Sequence, residues 1–407
     1  MVQEKLYSVS YSEKKRNLCS LCKGYKKLCG KSFCPILVRA ETILSKNIKD
    51  TVFGASPPAI FVGSAGYPKI TVGPLVPPLT EGTEIMDMPE LWVNRSLQEI
   101  IGYRASLIRG KSRVSATSAL NPDRTTAQMQ ELVMASAPTD VEAMFEKKPN
   151  LSITFSTRAP PSGPSALLKR IKVAENPKAE RVVDKVVYDT DMKAGEGIIT
   201  LYSSKIPQSR ITRILSSGLL GTGKRRRFVP TEWSITATDD IIAKALRREI
   251  LDYRELDHYE VFNFSALANS VHIILFPSSW FFEAQEVWVA SNSFGVDYEL
   301  ALGKKGYAKE LEGAYYASRL PVLEYLIHIR RQAGALVILE VYPDWIPLGV
   351  WRFRELCREA FKNGKSFDDL SKALEALDLA LPLKGYVEKS AVLKSFLTQK
   401  RLTDYGA

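Results

Sequence analysis

The segment Gly54–Pro78, GASPPAIFVGSAGYPKITVGPLVPP, constrains this chain more than any other. It threads Ile60, Phe61, Val62, Ile70 and Val72 between closely spaced prolines and glycines. A solvated linker buries nothing and has no use for so much β-branched and aromatic surface. The spacing predicts two short strands, Ala59–Val62 and Lys69–Val72, joined by a turn at Ser64–Pro68. Gly63, Gly66 and Gly73 stand where the backbone needs positive φ or close approach. Two uses fit: a tight turn inside a core sheet, or a cradle of glycine amides for a ligand or a DNA backbone.

A chain of 407 residues, 45% hydrophobic and 25% charged, is an ordinary globular protein large enough for two domains. Its net charge of +11 favours a polyanionic partner, nucleic acid before a membrane surface. The start, MVQEKLYSVSYSEKKR, lacks the apolar stretch of a secretory signal, which predicts a cytoplasmic protein. The uncharged run Val261–Phe282 is long enough to span a bilayer. Asn263, Asn269, His272 and Pro277 within it predict a pair of buried strands instead.

Four of the five cysteines cluster as C-x2-C-x6-C-x4-C at Cys19, Cys22, Cys29 and Cys34. Two close pairs joined by a short loop suit a tetrahedral thiolate site, so structural zinc is the first expectation. An iron–sulfur cluster is the alternative, since Pro35 follows Cys34, and disulfides come third. Lys14, Lys15, Arg16, Lys23, Lys26, Lys27 and Lys31 surround this knuckle, with Tyr25 and Phe33 among them. These cations either offset the negative tetrathiolate centre or form a basic knob, Lys26 and Lys27 included, that touches phosphates.

Further along, Pro89–Arg109 reads as a helix, Gly110–Arg124 as an exposed polar loop, and Thr126–Phe145 as a helix interrupted at Pro138. Leu151–Thr157, Lys185–Tyr188 and Gly197–Leu201 read as strands, with a loop at 158–164. In Ile206–Asp240, Ser209 is placed to cap a short helix that buries Ile211, Ile214 and Leu215 and stops at Gly218. Lys224, Arg225, Arg226 and Arg227 follow, flanked by glycines and by Phe228 and Trp233. Such a loop suits a nucleic-acid backbone and an unstacked base, although charge runs also serve as plain solvated surface. The acidic residues after it, Asp239, Asp240, Glu249, Asp252, Glu255 and Asp257 with His258, raise the alternative of a two-metal nuclease. His272 and His328 lie in apolar runs and read as core histidines.

The C-terminal portion alternates helix and strand: Arg319–Gln332, Ala335–Val341, then Gly349–Asn363, whose stripe makes Cys357 a core residue. Ser366 with Asp369 opens a last amphipathic helix. The chain ends SFLTQKRLTDYGA, where Gln399, Leu402 and Tyr405 are spaced three apart. In one 3-10 turn Leu402 and Tyr405 face the same side as an apolar plug, and Gln399 hydrogen-bonds beside it. That is how a flexible tail engages a replication sliding clamp, PCNA. Gly406 stands where a second aromatic is usual, which weakens the ligand.

Ser56–Pro74, Val229–Asp240 (VPTEWSITATDD) and Leu348–Ala360 (LGVWRFRELCREA) resemble the archaeal Nre family of DNA repair proteins. The resemblance implies a cytoplasmic factor of DNA damage repair that binds the PCNA clamp through its tail; DNA binding is expected from the +11 charge and the Lys224–Arg227 loop. It implies Gln399, Leu402 and Tyr405 as clamp contacts and Cys19, Cys22, Cys29 and Cys34 as zinc ligands. The fold expected is α+β (mixed α/β): a Gly/Pro-rich mixed-sheet core, an N-terminal four-cysteine knuckle and an α/β C-terminal portion. The expected divisions are a zinc module at 1–45, a core at 46–290, a C-terminal domain at 291–385 and a flexible tail at 386–407. The alternative is a DNA-processing enzyme, either a metal-dependent nuclease or an NAD-using ADP-ribosyl transferase. The latter rests on a helix ending ILSSGLL before a strand-like FVPTEWSIT.

Overall fold

Helix α1 (Pro35–Leu44) leads into strand β1 (Thr51–Ser56) and then the expected hairpin, β2 (Ile60–Val62) with β3 (Lys69–Val76). The computed structural model describes residues 22, 26–46, 48–150, 161–173 and 177–398. Gly66 turns the hairpin at φ +81°, and a Cβ on Gly73 would sit 1.8 Å from the Gly110 carbonyl oxygen. These are the left-handed turn and the close approach that the sequence predicts. Helix α2 (Leu97–Ser106) is shorter than expected, because Ser96 and Glu99 form a capping box that starts it there. Strand β4 (Ile108–Ser115) replaces much of the exposed loop expected at 110–124.

Helix α3 (Arg124–Met134) stops ahead of Pro138, and the rest of that expected helix is strand β5 (Thr139–Phe145). With β6 (Ser165–Val173) the first sheet has the order β1-β5-β6-β4-β3-β2, its β4–β6 pair parallel. The strand expected at Leu151–Thr157 lies outside the described residues.

Two expected strands are helices, α4 (Arg181–Tyr188) and α5 (Ala194–Ser203). In α4, Val183, Val186 and Val187 lie three and four apart and are all buried, so helical periodicity overrides the β preference of valine. Helix α6 (Gln208–Ser216) buries Ile211, Ile214 and Leu215 as expected and is followed by Gly218 at φ +74°. Its cap position is Pro207; Ser209 lies inside the helix. Helix α7 (Thr231–Ile250) includes the Thr231–Thr236 stretch expected to be extended.

The second sheet takes β7 (Tyr259–Ala266), β8 (Asn269–Phe276), β9 (Phe281–Trp288), β10 (Ser293–Glu299), β11 (Gly334–Val341) and β12 (Gly364–Phe367). Its order is β10-β9-β11-β8-β7-β12, with β9 and β11 parallel. The β9–β10 pairing runs across residue 290, where the sequence reading divides core from C-terminal portion. The uncharged run at 261–282 does hold two paired strands, most of β7 and all of β8. Helices α8 (Gly313–Ile329) and α9 (Trp351–Ala360) cover one face. On the other lie α10 (Leu370–Glu375), α11 (Leu383–Lys389) and α12 (Ala391–Thr398). Ser366 belongs to β12, and Asp369 alone caps α10.

Alternate residues of the second sheet feed two cores. Val271, Ile273, Val337 and Leu339 join α8, α9 and the first sheet in one continuous cluster. Ile274, Leu336 and Ile338 meet Leu377, Tyr386, Val392 and Leu393. Packed chain therefore continues past residue 385, where the sequence reading begins its tail. Each such aliphatic burial contributes about 1.5–3 kcal/mol, which fastens the C-terminal helices to the sheet. His272 is a buried core histidine, its Nδ1 2.8 Å from Asn263 Oδ1 and its Nε2 3.4 Å from Glu340 Oε2. His328 is exposed at the end of α8, contrary to expectation. Cys357 is buried, and burial pushes its thiol well up. No helix among the described residues is long and apolar enough to cross a membrane.

Candidate nucleic-acid interface

The Gly54–Pro78 and Ile206–Asp240 segments meet along one seam. The Val62 amide, on the free edge of β2, donates to Thr231 Oγ1 at 3.0 Å. Ala116 bridges the two segments: its N–H donates to the Pro68 carbonyl, and its carbonyl accepts from Phe228 N–H, each at 2.8 Å. Arg213 on α6 donates to the carbonyls of Pro57 and Pro58 at 2.6 and 3.1 Å. These prolines free carbonyls that no strand partner takes, and a buried guanidinium satisfies them. The ends of the seam carry Tyr67 and Trp233, whose ring centroids are 5.1 Å apart.

Behind the seam several acidic residues are committed to cationic or hydrogen-bonding partners. Asp87 accepts from Arg104 at 2.7 Å and lies 3.7 Å from Arg213. Asp239 is bound by Arg354 at 2.9 Å; burial pushes its carboxyl up to about 6 against the pull of Arg354 and Arg358. Asp240 pairs with Lys244, four residues on, and with Arg319, each at 2.6 Å. Asp257 pairs with His258 at 2.7 Å, and Glu249 accepts from Tyr253 at 2.5 Å. Among the described residues no three His, Cys, Asp or Glu side chains gather as a metal-holding group. Because FVPTEWSIT is largely the start of α7, the strand on which the ADP-ribosyl transferase likeness rested is gone.

Of the four clustered cations, Lys224, Arg225 and Arg227 are exposed. Arg226 folds inward, its Nε on the Gly221 carbonyl at 2.8 Å and its Nη2 on the Asp189 carbonyl at 3.0 Å, and so ties the loop down. Phe228 is fully buried and offers no face to a base, which corrects the sequence reading; Trp233 keeps 47% of its surface.

A second row of cations escaped the sequence reading. Arg109, Lys111 and Arg113 lie on one face of β4, two residues apart. Arg109 lies over the Phe61 ring at 3.9 Å and donates to Thr71 Oγ1 at 3.2 Å. Burial pushes Arg109 down to about 10 with no carboxylate offsetting it, and Lys111 is lowered by burial and by Arg109. Arg109 therefore stays charged at neutral pH. Where β4 and β6 part, an open cleft of about 400 Å³ is lined by Lys111, Arg113, Asp123, Thr126 and Glu146. The signal was visible as alternation in Ile108–Ser115, apolar or small residues against cations.

The N-terminal expectations fare unevenly. Cys19 lies outside the described residues, Cys22 is buried, Cys29 is exposed and Cys34 is half-buried at the N-cap of α1. The donor chemistry suits zinc; one of the four donors, Cys19, falls outside the described residues, among which no three-donor group gathers. Lys26 and Lys27 are exposed. Lys31 docks this segment onto the second half, donating to the Pro343 and Trp345 carbonyls at 2.8 and 2.5 Å. Gln399, Leu402 and Tyr405 lie outside the described residues.

The fold and its seam define a two-sheet α+β protein whose exposed charge is predominantly basic at the joined motifs. Two family models, described as Archaeal Nre, N-terminal, and Archaeal Nre, C-terminal, match residues 28–295 and 299–405. The chain belongs to the archaeal Nre family. It is 38% identical over 390 residues to the DNA repair protein NreA of Archaeoglobus fulgidus, covering 93% of this chain and 98% of that one. It is 36% identical to the DNA repair protein NreB of the same organism, covering 92% and 97%. The DNA repair protein NreA of Haloferax volcanii is 34% identical over 331 residues, covering 77% and 79%. No solved structure matches the chain.

Proposed function

We propose that this protein is a DNA repair factor that holds DNA on its basic surface and is recruited by the PCNA sliding clamp through its C-terminus. The repair role is supported by relatives of that name matched over most of the chain. The observation that carries DNA contact is the pair Arg109 and Lys111, cations without an offsetting carboxylate beside the seam. Lys224, Arg225 and Arg227 add exposed charge at the surface, and Lys26 and Lys27 a second patch. Recruitment is supported by the one-sided spacing of Gln399, Leu402 and Tyr405.

Zinc at Cys19, Cys22, Cys29 and Cys34 belongs to the same proposal, supported by the donor set and by Gly30, at φ +77°, directly after Cys29. Thiolate-bound zinc would hold the basic N-terminal residues against the body. Metal analysis of the full chain tests it; zinc that Cys22→Ser and Cys34→Ser release is expected, whereas iron with acid-labile sulfide would mark a cluster instead.

Two titrations test the rest. Affinity for duplex DNA is expected to fall steeply with salt; a flat response would remove phosphate contact. Clamp titrated against the full chain and a chain ending at Thr398 is expected to bind only the former; equal binding would end the recruitment proposal.

A further inference from the structure

Trp233 occupies the first turn of α7, a helix whose Ser234, Thr238 and Asp239 turn inward and are buried. It keeps 47% of its surface, and Tyr67, at the hairpin turn, keeps 38%. Exposed tryptophan leaves a large flat apolar face in water, a costly arrangement that usually marks a contact surface. Here two such rings come from separate segments and meet at 5.1 Å with planes 52° apart. The tilt keeps the two rings from covering each other as a parallel stack would.

The rim of the pair decides what it fits. Lys69 is exposed on the same hairpin, and Arg113 is exposed opposite Thr71. Arg227 is exposed beside Phe228, whose amide is bonded to Ala116. Ser115 and Thr117 add exposed hydroxyls, and Glu232 is the acidic neighbour on the same helical turn. A partner must therefore offer dense negative charge and an accessible flat ring together. A nucleic-acid duplex hides its base faces in the stack, whereas a single strand presents phosphates and unstacked bases side by side.

We infer that Tyr67 and Trp233 form a stacking platform for an unstacked base of a single-stranded nucleic acid whose backbone runs over Lys69, Arg113 and Arg227. The inference rests on the nucleic-acid reading above and deepens it by naming the strand state recognised. The base lies against the exposed ring faces, and the cations fix the flanking phosphates. DNA and RNA share this chemistry.

The test uses the full chain with labelled oligothymidylate, oligouridylate and a duplex of equal length, each at fixed low salt. Trp233→Ala and Tyr67→Ala are each expected to weaken single-strand binding about fivefold to a hundredfold. Duplex affinity and melting temperature should stay near wild type, and Trp233→Phe should keep most of the single-strand affinity. Single-strand binding unchanged in both alanine variants, or an equal loss on duplex, overturns the platform. If Lys224, Arg225 and Arg227 replaced together by alanine reduce duplex binding while Trp233→Ala changes nothing, the platform falls and the DNA reading stands. No binding of any probe by the wild type overturns both. The tighter of the two single strands names the natural polymer.

Discussion

Arg354 reaches from α9 to Asp239 on α7, its Nη1 2.9 and 3.1 Å from the two carboxylate oxygens. Both side chains are sealed, 3% and 0% exposed, and Gln208 of α6 donates to the same carboxylate. The pair thus clamps the helix that carries Trp233 against the second half of the chain. Removing one partner of a buried pair leaves a stranded charge and costs about 3–5 kcal/mol. Arg354→Met is expected to lower the unfolding free energy from urea titration by that much, and adding Asp239→Asn should restore part of the loss. A double variant no better than the single would show that the cost is lost packing and not the stranded carboxylate.

The sequence carried the parts of this fold that depend on local chemistry. The hairpin around Gly66, the β7–β8 pair and the buried stripe of α9 were all legible, because turn residues and periodicity specify them. Legibility failed where two local preferences conflict. Val182, Val183, Val186 and Val187 favour strand by side-chain shape, yet their spacing buries a helical face, and packing decides. The site suffered differently. Lys224–Arg227 stood out as a charge run, but nothing local reveals that Arg226 turns inward or that Phe228 is sealed. The meeting of Tyr67 with Trp233 is a product of tertiary packing, invisible to any reading of one segment.

Glu340, fully buried on β11, holds the C-terminal helices through the Ala380 amide at 2.9 Å and the Tyr386 hydroxyl. Burial works to raise its carboxyl, but His272, Tyr386, the Ala380 amide and Tyr342 together hold it down to about 2, from 4.5. On acidification the unfolded chain therefore takes up this proton first. The stabilisation is complete above pH 4.5 and is lost as pH falls from there towards 2. Glu340→Gln is expected to be less stable at pH 6 and to show a flatter loss of stability below pH 4.5. Denaturant midpoints at pH 3 and pH 6 measure this; parallel acid limbs for the two proteins would refute it.

The basic loop divides into cations that meet solvent and one that builds the loop. Each phosphate contact contributes about 0.9 to the slope of log affinity against log salt on duplex DNA. Alanine at Lys224, Arg225 and Arg227 together is expected to reduce that slope by up to about 3. Arg226→Ala should behave differently, loosening the backbone that its guanidinium ties to Gly221 and Asp189. Proteolysis within residues 221–227 is expected to accelerate in that variant alone. A common effect of all four substitutions on both readouts would erase the distinction.

The terminal motif makes the sharpest prediction, because its defect is a single residue. Leu402 and Tyr405 supply the apolar plug, and Gly406 stands where a second aromatic would bury further surface. Burying one large side chain is worth about 1.5–3 kcal/mol, or roughly ten- to a hundredfold in affinity. Gly406→Phe is expected to tighten clamp binding by up to that factor, and Leu402→Ala to weaken it similarly. Both variants are expected to keep the parent's melting temperature, which separates an effect on clamp binding from one on folding. Calorimetric titration of purified clamp against the three proteins reads the order directly. If Gly406→Phe binds no better than the parent chain, the motif does not sit in the clamp pocket as its spacing requires.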